Sequence, residues 1–162
     1  MFRNFQNDDM FNTRKLRNVN NTHYSDYNCA GFALNTFSWY CPHDDDYGSL
    51  YEPGWYEMIN GTLDDYEITE ICVNHMLKDF SDLRRIENLC QLQKGEYAIA
   101  FRIGRESADF HYMKQINGKW YEKMGGSSIL KCVSEEEVFS ISWDRGWNFY
   151  DGPLVLLAKM EA

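Results

Sequence analysis

The chain has 162 residues, 44% of them hydrophobic and 16% aromatic, which excludes a disordered chain and suits a single domain spanning residues 1–162. Its 16 lysines and arginines stand against 25 aspartates and glutamates, a net charge of −9. That balance argues against nucleic acid, whose binding is driven by cations, and leaves proteins, peptides or small molecules as partners. No apolar run approaches the roughly 18 residues of a membrane span, so no membrane partner is expected.

The five cysteines, Cys29, Cys41, Cys72, Cys90 and Cys132, are odd in number and irregularly spaced. A complete disulfide framework is excluded, and reduced thiols are the simpler reading. The first residues, "MFRNFQNDDMFNTRKLRN", lack the positive-then-apolar order of a secretory signal. A cytoplasmic location is therefore expected.

In chain order, the Asn-rich residues 1–26 read as extended chain lying across the fold. From Cys29 to about Trp39, apolar residues at three- and four-residue spacings predict a buried helix, capped by Asp26 or Asn28. "CPHDDDYGSLYEPGWYEMING" reads as a loop whose aromatic residues wall a cleft. Thr62, with Asp65 three residues on, predicts the start of a second helix. Its apolar stripe, Tyr66, Ile68, Ile71, Cys72, His75, Met76 and Phe80, carries it to about Asp79. Strands are expected at 96–104, 109–116 and 119–125. Ser134 and Glu137 signal a short helix over "SEEEVFSI". "GPLVLLAKM" predicts a central strand because it is apolar throughout. The order gives an α+β fold with N-terminal helices packed against an antiparallel β-sheet.

Asn117-Gly118 is a strong signal for a two-residue hairpin turn, which fixes the register of the strands around it. Ile116 then faces Lys119, Gln115 faces Trp120, Met113 faces Glu122 and His111 faces Met124. His111, Met113, Gln115, Trp120, Glu122 and Met124 thus share one face. Glu122 becomes the diagonal neighbour of His111, within reach of a hydrogen bond. Upstream, "SDYNCAGFAL" places Cys29 at a helix start. A thiol at a helix N-terminus, an imidazole to take its proton and a polar group to orient the imidazole are the minimum outfit of a cysteine hydrolase. The helix end is expected to lower the thiol pKa. Backbone N–H groups there, with Asn28 in support, are expected to hold the oxyanion. Gln115 and Trp120 are candidate supporting residues on the base's face. Equally, Cys29 reads as a small core residue, Asn28 as a simple cap, and Glu122 as a solvated strand carboxylate.

"YNCAGFAL" followed by "GEYAIAF" and "DFHYMKQINGKWYEKMGG" resembles the papain-like cysteine hydrolase superfamily, in particular its compact bacterial and phage (NlpC-like) members. The resemblance covers Tyr27–Leu34 and Gly95–Gly126. It implies a helix carrying the nucleophile, Cys29, packed on an antiparallel sheet carrying the base, His111. The third polar residue maps to Glu122, where relatives of this type often have His or Asn. The activity it implies is hydrolysis or transfer at an amide bond of a protein or peptide, with no cofactor. Cys41-x-His43 and Cys72-x-x-His75 do not fit the usual zinc spacing, Asp44–Asp46 lacks the order of a calcium loop, and "MGGSSI" lacks the lysine of a phosphate loop. No metal is expected. The alternative of another class is a non-catalytic acidic binding or inhibitor protein on the same fold.

Overall fold

In the strand Glu96–Gly104 (β2), Tyr97, Ile99, Phe101 and Ile103 alternate with Ala98, Ala100 and Arg102, and all seven are buried. A strand buried on both sides needs a layer on each face. The structure, a computed structural model, describes residues 26–43, 47–48, 53–124, 130–146 and 148–161. It is a mixed helix-and-strand fold around an antiparallel sheet, the α+β class that the element order predicts.

Along the chain come helices Cys29–Ala33 (α1), Trp55–Asn60 (α2) and Asp65–Asp79 (α3), then strands Leu83–Ile86 (β1), β2, Asp109–Ile116 (β3), Lys119–Lys123 (β4) and Leu130–Val133 (β5). Helix Glu135–Val138 (α4) and strands Trp143–Asp144 (β6), Phe149–Tyr150 (β7) and Val155–Met160 (β8) complete the described elements. The main sheet has the order β1-β8-β2-β3-β4-β5, and β6 pairs with β7 separately. The closing strand β8 is internal, between β1 and β2. On one face, Ile99, Phe101, Phe110, Tyr112 and Leu157 pack against α1, α2 and α3. On the other, Ala98, Ala100, Met113 and Trp120 pack against Val138 of α4 and against Trp143 and Tyr150 of the small ribbon.

Helix α1 is shorter than its apolar pattern predicts. It stops at Ala33 because Asn35 and Phe37 take left-handed φ values of 58° and 52°, turning the chain back so that Thr36 and Phe37 both donate to the Gly31 carbonyl. The cap is Asn28, whose Oδ1 accepts from the Gly31 N–H at 2.9 Å. Two buried lysines of the sheet bracket this short helix. Lys123 Nζ donates to the Tyr27 carbonyl at 2.7 Å, ahead of the helix. Lys114 Nζ donates to the Phe32 carbonyl at 3.2 Å and to Asn35 Oδ1, at the end of the helix.

Other boundaries also move. Helix α3 is capped by Asp64 rather than Thr62, because Asp64 and Glu67 bond reciprocally, Glu67 N–H to Asp64 Oδ1 at 2.8 Å and Asp64 N–H to Glu67 Oε1 at 3.2 Å. Its end at Asp79 agrees with the apolar stripe. Residues 55–60, expected as loop, form α2, which anchors Trp55 and Met58 in the core. Ser134 caps α4 through the Glu137 N–H, but the helix closes at Val138. The expected course of residues 1–26 falls almost wholly outside the described residues, as do Asp44–Asp46.

A Cβ built on Gly31 lies 1.9 Å from the backbone carbonyl oxygen of Ser38, and a backbone atom yields less readily than a flexible side chain. Gly31→Ala is expected to destabilise the fold by about 1–3 kcal/mol, the ordinary cost of overpacking. Urea denaturation monitored by tryptophan fluorescence measures it; an unchanged midpoint contradicts the close approach of the 36–38 turn to α1.

Candidate active site

The hairpin places the imidazole and its carboxylate as its register requires. Met113 pairs with Glu122, Gln115 with Trp120 and Ile116 with Lys119, and Asn117 and Gly118 take φ values of 51° and 80° in the turn. His111 Nε2 lies 2.6 Å from Glu122 Oε1, and both side chains are almost fully buried. The same oxygen accepts from Arg145 Nε at 2.8 Å, and Arg145 Nη1 reaches Glu137 at 2.7 Å. Burial alone would raise the Glu122 pKa. The hydrogen bonds and charges of His111 and Arg145 outweigh it and bring the carboxyl down to about 2. Glu122 is therefore an acceptor only, so the Nε2 it contacts carries the proton, and whenever the ring is neutral its lone pair is on Nδ1. The ring is stacked on Tyr150, with centroids 5.0 Å apart, and meets the edge of Trp143 at 6.0 Å.

The thiol approaches from the opposite, helical face of the sheet. The β3–β4 ladder stops at Met113–Glu122. Just beyond it, the backbone N–H of Tyr112 faces the Cys29 sulfur, as does that of Ala30. Contrary to the expectation from its place at a helix start, the thiol is not lowered. Burial pushes it up to about 12, with Asp109 acting in the same direction, and the two N–H groups and Lys123 oppose this only in part. A helix of one turn and a half has little dipole to offer against desolvation. Among the described residues, no hydrogen bond joins Cys29 to His111.

The two side chains nevertheless line one cavity of about 500 Å³. Its walls include Trp39, His43, Trp55, Tyr56, Phe110 and Tyr150, with His43 stacked on Trp55 at 4.4 Å. Trp55 is held by its indole N–H, which donates to the Ala108 carbonyl at 3.0 Å. Asp109, also in the wall, is fully engaged: Oδ2 accepts from Tyr150 Oη at 2.8 Å and from Asn148 Nδ2 at 2.9 Å, and Oδ1 from the Phe110 N–H at 2.8 Å.

Asn28 lines the cavity beside Cys29, but its amide is committed to the backbone: besides capping α1, Nδ2 donates to the Tyr40 carbonyl at 2.8 Å. Gln115 and Trp120 are not brought to the cavity. They pair with each other farther along the hairpin, and Trp120 packs with Val133 and Val138 in the second core. Cys41 and His43 lie at the cavity while Cys72 is buried in the core, and no metal-holding group of three ligands forms among the described residues. Arg145 has no sequence signal: it sits between strands of two residues, too short for an alternation to reveal a face. The chain matches no protein-family model, no curated protein and no solved structure. No helix among the described residues is long and apolar enough to cross a membrane.

The lowered pKa of Glu122 has a thermodynamic consequence. A carboxyl held near 2 in the folded state, against 4.5 without its partners, contributes stability that is fully present above about pH 4.5 and is lost as pH falls through about 2. Glu122→Gln is expected to lower stability at pH 7 by about 3–5 kcal/mol, because it leaves buried positive charge uncompensated. It should also flatten the decline between pH 4.5 and 2. Denaturant midpoints at several pH values check both; parallel profiles for the two proteins contradict the assignment.

Proposed function

We propose that the protein is a cysteine-dependent hydrolase or acyltransferase acting on an amide bond, as a peptidase, amidase or deamidase, through a thioester on Cys29. The fold we infer behind this activity is a papain-like core, with the cysteine helix on one side of the antiparallel sheet and the base on a strand. The observation that carries the reading is that Cys29 and His111 line the same cavity while Glu122 fixes the imidazole.

In this reading the resting thiol is protonated, in keeping with a pKa raised to about 12. When substrate fills the cavity, sulfur attacks the amide carbonyl as its proton passes to Nδ1 of His111. The backbone N–H of Cys29, at the start of α1, holds the oxygen that becomes negative. The imidazolium, stabilised by Glu122, gives its proton to the departing amine, leaving a thioester. Water then releases the acid, or an amine takes the acyl group in transfer. The substrate is a protein or peptide, with no cofactor in any step. Arg145 offsets part of the Glu122 charge and holds the carboxylate in place.

A second reading, a non-catalytic acidic binding protein, draws on one specific observation: the thiol is buried and makes no hydrogen bond to His111 among the described residues. A substrate-like electrophile separates the two, because simple alkylators would favour the exposed Cys41 and Cys90. A peptidyl acyloxymethyl ketone is expected to add to Cys29, seen by intact mass and peptide mapping. His111→Ala should slow that addition by about 10²-fold or more, the ordinary worth of a general base. Labelling confined to Cys41 and Cys90, or addition to Cys29 at the same rate without His111, contradicts the enzyme reading.

A further inference from the structure

We propose that the cavity is shaped for an acyl group carrying a flat aromatic or large apolar side chain, and that it discriminates against one carrying a carboxylate. This inference rests on the hydrolase reading above and names the substrate class of that same site.

One group of lining residues is aromatic: Trp55 and His43 stacked at 4.4 Å, and Phe110 set edge-on to both, at 6.4 Å and 5.7 Å. Rings fixed this way favour a planar or bulky apolar group, which gains burial and edge-to-face contacts without moving the protein. At the rim, Trp39 is 60% exposed and Tyr56 is 45% exposed, and Tyr47 lies beside Tyr56 with centroids 6.2 Å apart. Large aromatic residues left open to solvent around a cavity are a contact surface for an arriving chain. The electrostatics point the same way. Among the described lining residues there is no lysine or arginine, and Asp109 spends its oxygens on Tyr150, Asn148 and the Phe110 N–H. An anionic side chain entering would lose its hydration with no cation among the described lining residues to receive it. A cationic one would find the nearest carboxylate already bonded.

Four N-acetyl-aminoacyl acyloxymethyl ketones, with Phe, Gly, Glu or Lys as the amino acid, test this on the full chain. Sulfur bonds to the methylene carbon, the carbon–oxygen bond breaks, the carboxylate departs and the thiol proton passes through His111 to water. The Phe probe is expected to label Cys29 at least about tenfold faster than the Gly probe, the scale of discrimination in an apolar pocket, and the Glu probe should be slowest. Trp39→Ala and Tyr56→Ala, both at exposed positions, should lower the Phe-to-Gly ratio. His111-dependent labelling at equal rates for all four, or fastest with Glu or Lys, overturns the substrate class and leaves the hydrolase reading intact. No labelling of Cys29 by any probe overturns both.

Discussion

A single carboxylate oxygen, Glu122 Oε1, accepts from His111 Nε2 and Arg145 Nε inside the protein, and the site depends on that sharing. A lone ionised carboxylate there would carry a desolvation cost of several kcal/mol. Two donors offset it, and the second carries a permanent positive charge. The shared oxygen ties the β3–β4 hairpin to the turn between β6 and β7, beside the stacking of Tyr150 on His111 and its hydrogen bond to Asp109. It also sets which ring nitrogen keeps its lone pair, so the chemistry open to His111 follows from where an arginine outside the hairpin is placed.

The thiol obeys the opposite economy. Cys29 is reached through the helical core, and its surroundings favour the neutral form, up to a pKa of about 12. In the proposed hydrolase such a thiol attacks only when its proton can be received, which would couple attack to an occupied cavity; its burial also shields the sulfur from casual oxidation. Thiol and imidazole come to the cavity from opposite faces of the sheet, at the point where the β3–β4 ladder ends. In the proposed reaction the aromatic walls are the surface that holds the acyl group between the two side chains.

Much of this was legible in the sequence where a rule is local. Asn117-Gly118 determined the hairpin register, and the register determined that His111 and Glu122 meet. The strands at 96–104 and 109–116 and the end of α3 followed from alternation and from the apolar stripe. What was illegible is non-local. The reversal after Leu34 shortens α1 through two left-handed residues, neither of them glycine. The strand "LRRI" carries two arginines at its centre and lies at the sheet edge, where no apolar run is required. Arg145 acquires its role from a partner remote in sequence. The thiol pKa depends on how deeply the whole fold buries Cys29, which no motif encodes.

The central claim is that Glu122 holds His111 with its proton on Nε2 and its lone pair on Nδ1. Long-range proton–nitrogen correlation NMR on uniformly nitrogen-15-labelled protein, at a pH where the ring is neutral, reads the tautomer directly. The account predicts a protonated, pyrrole-type shift at Nε2 and a pyridine-type shift at Nδ1, the pattern disappearing in Glu122→Gln. A proton on Nδ1 in the unaltered protein would leave no base for the Cys29 thiol and would contradict it.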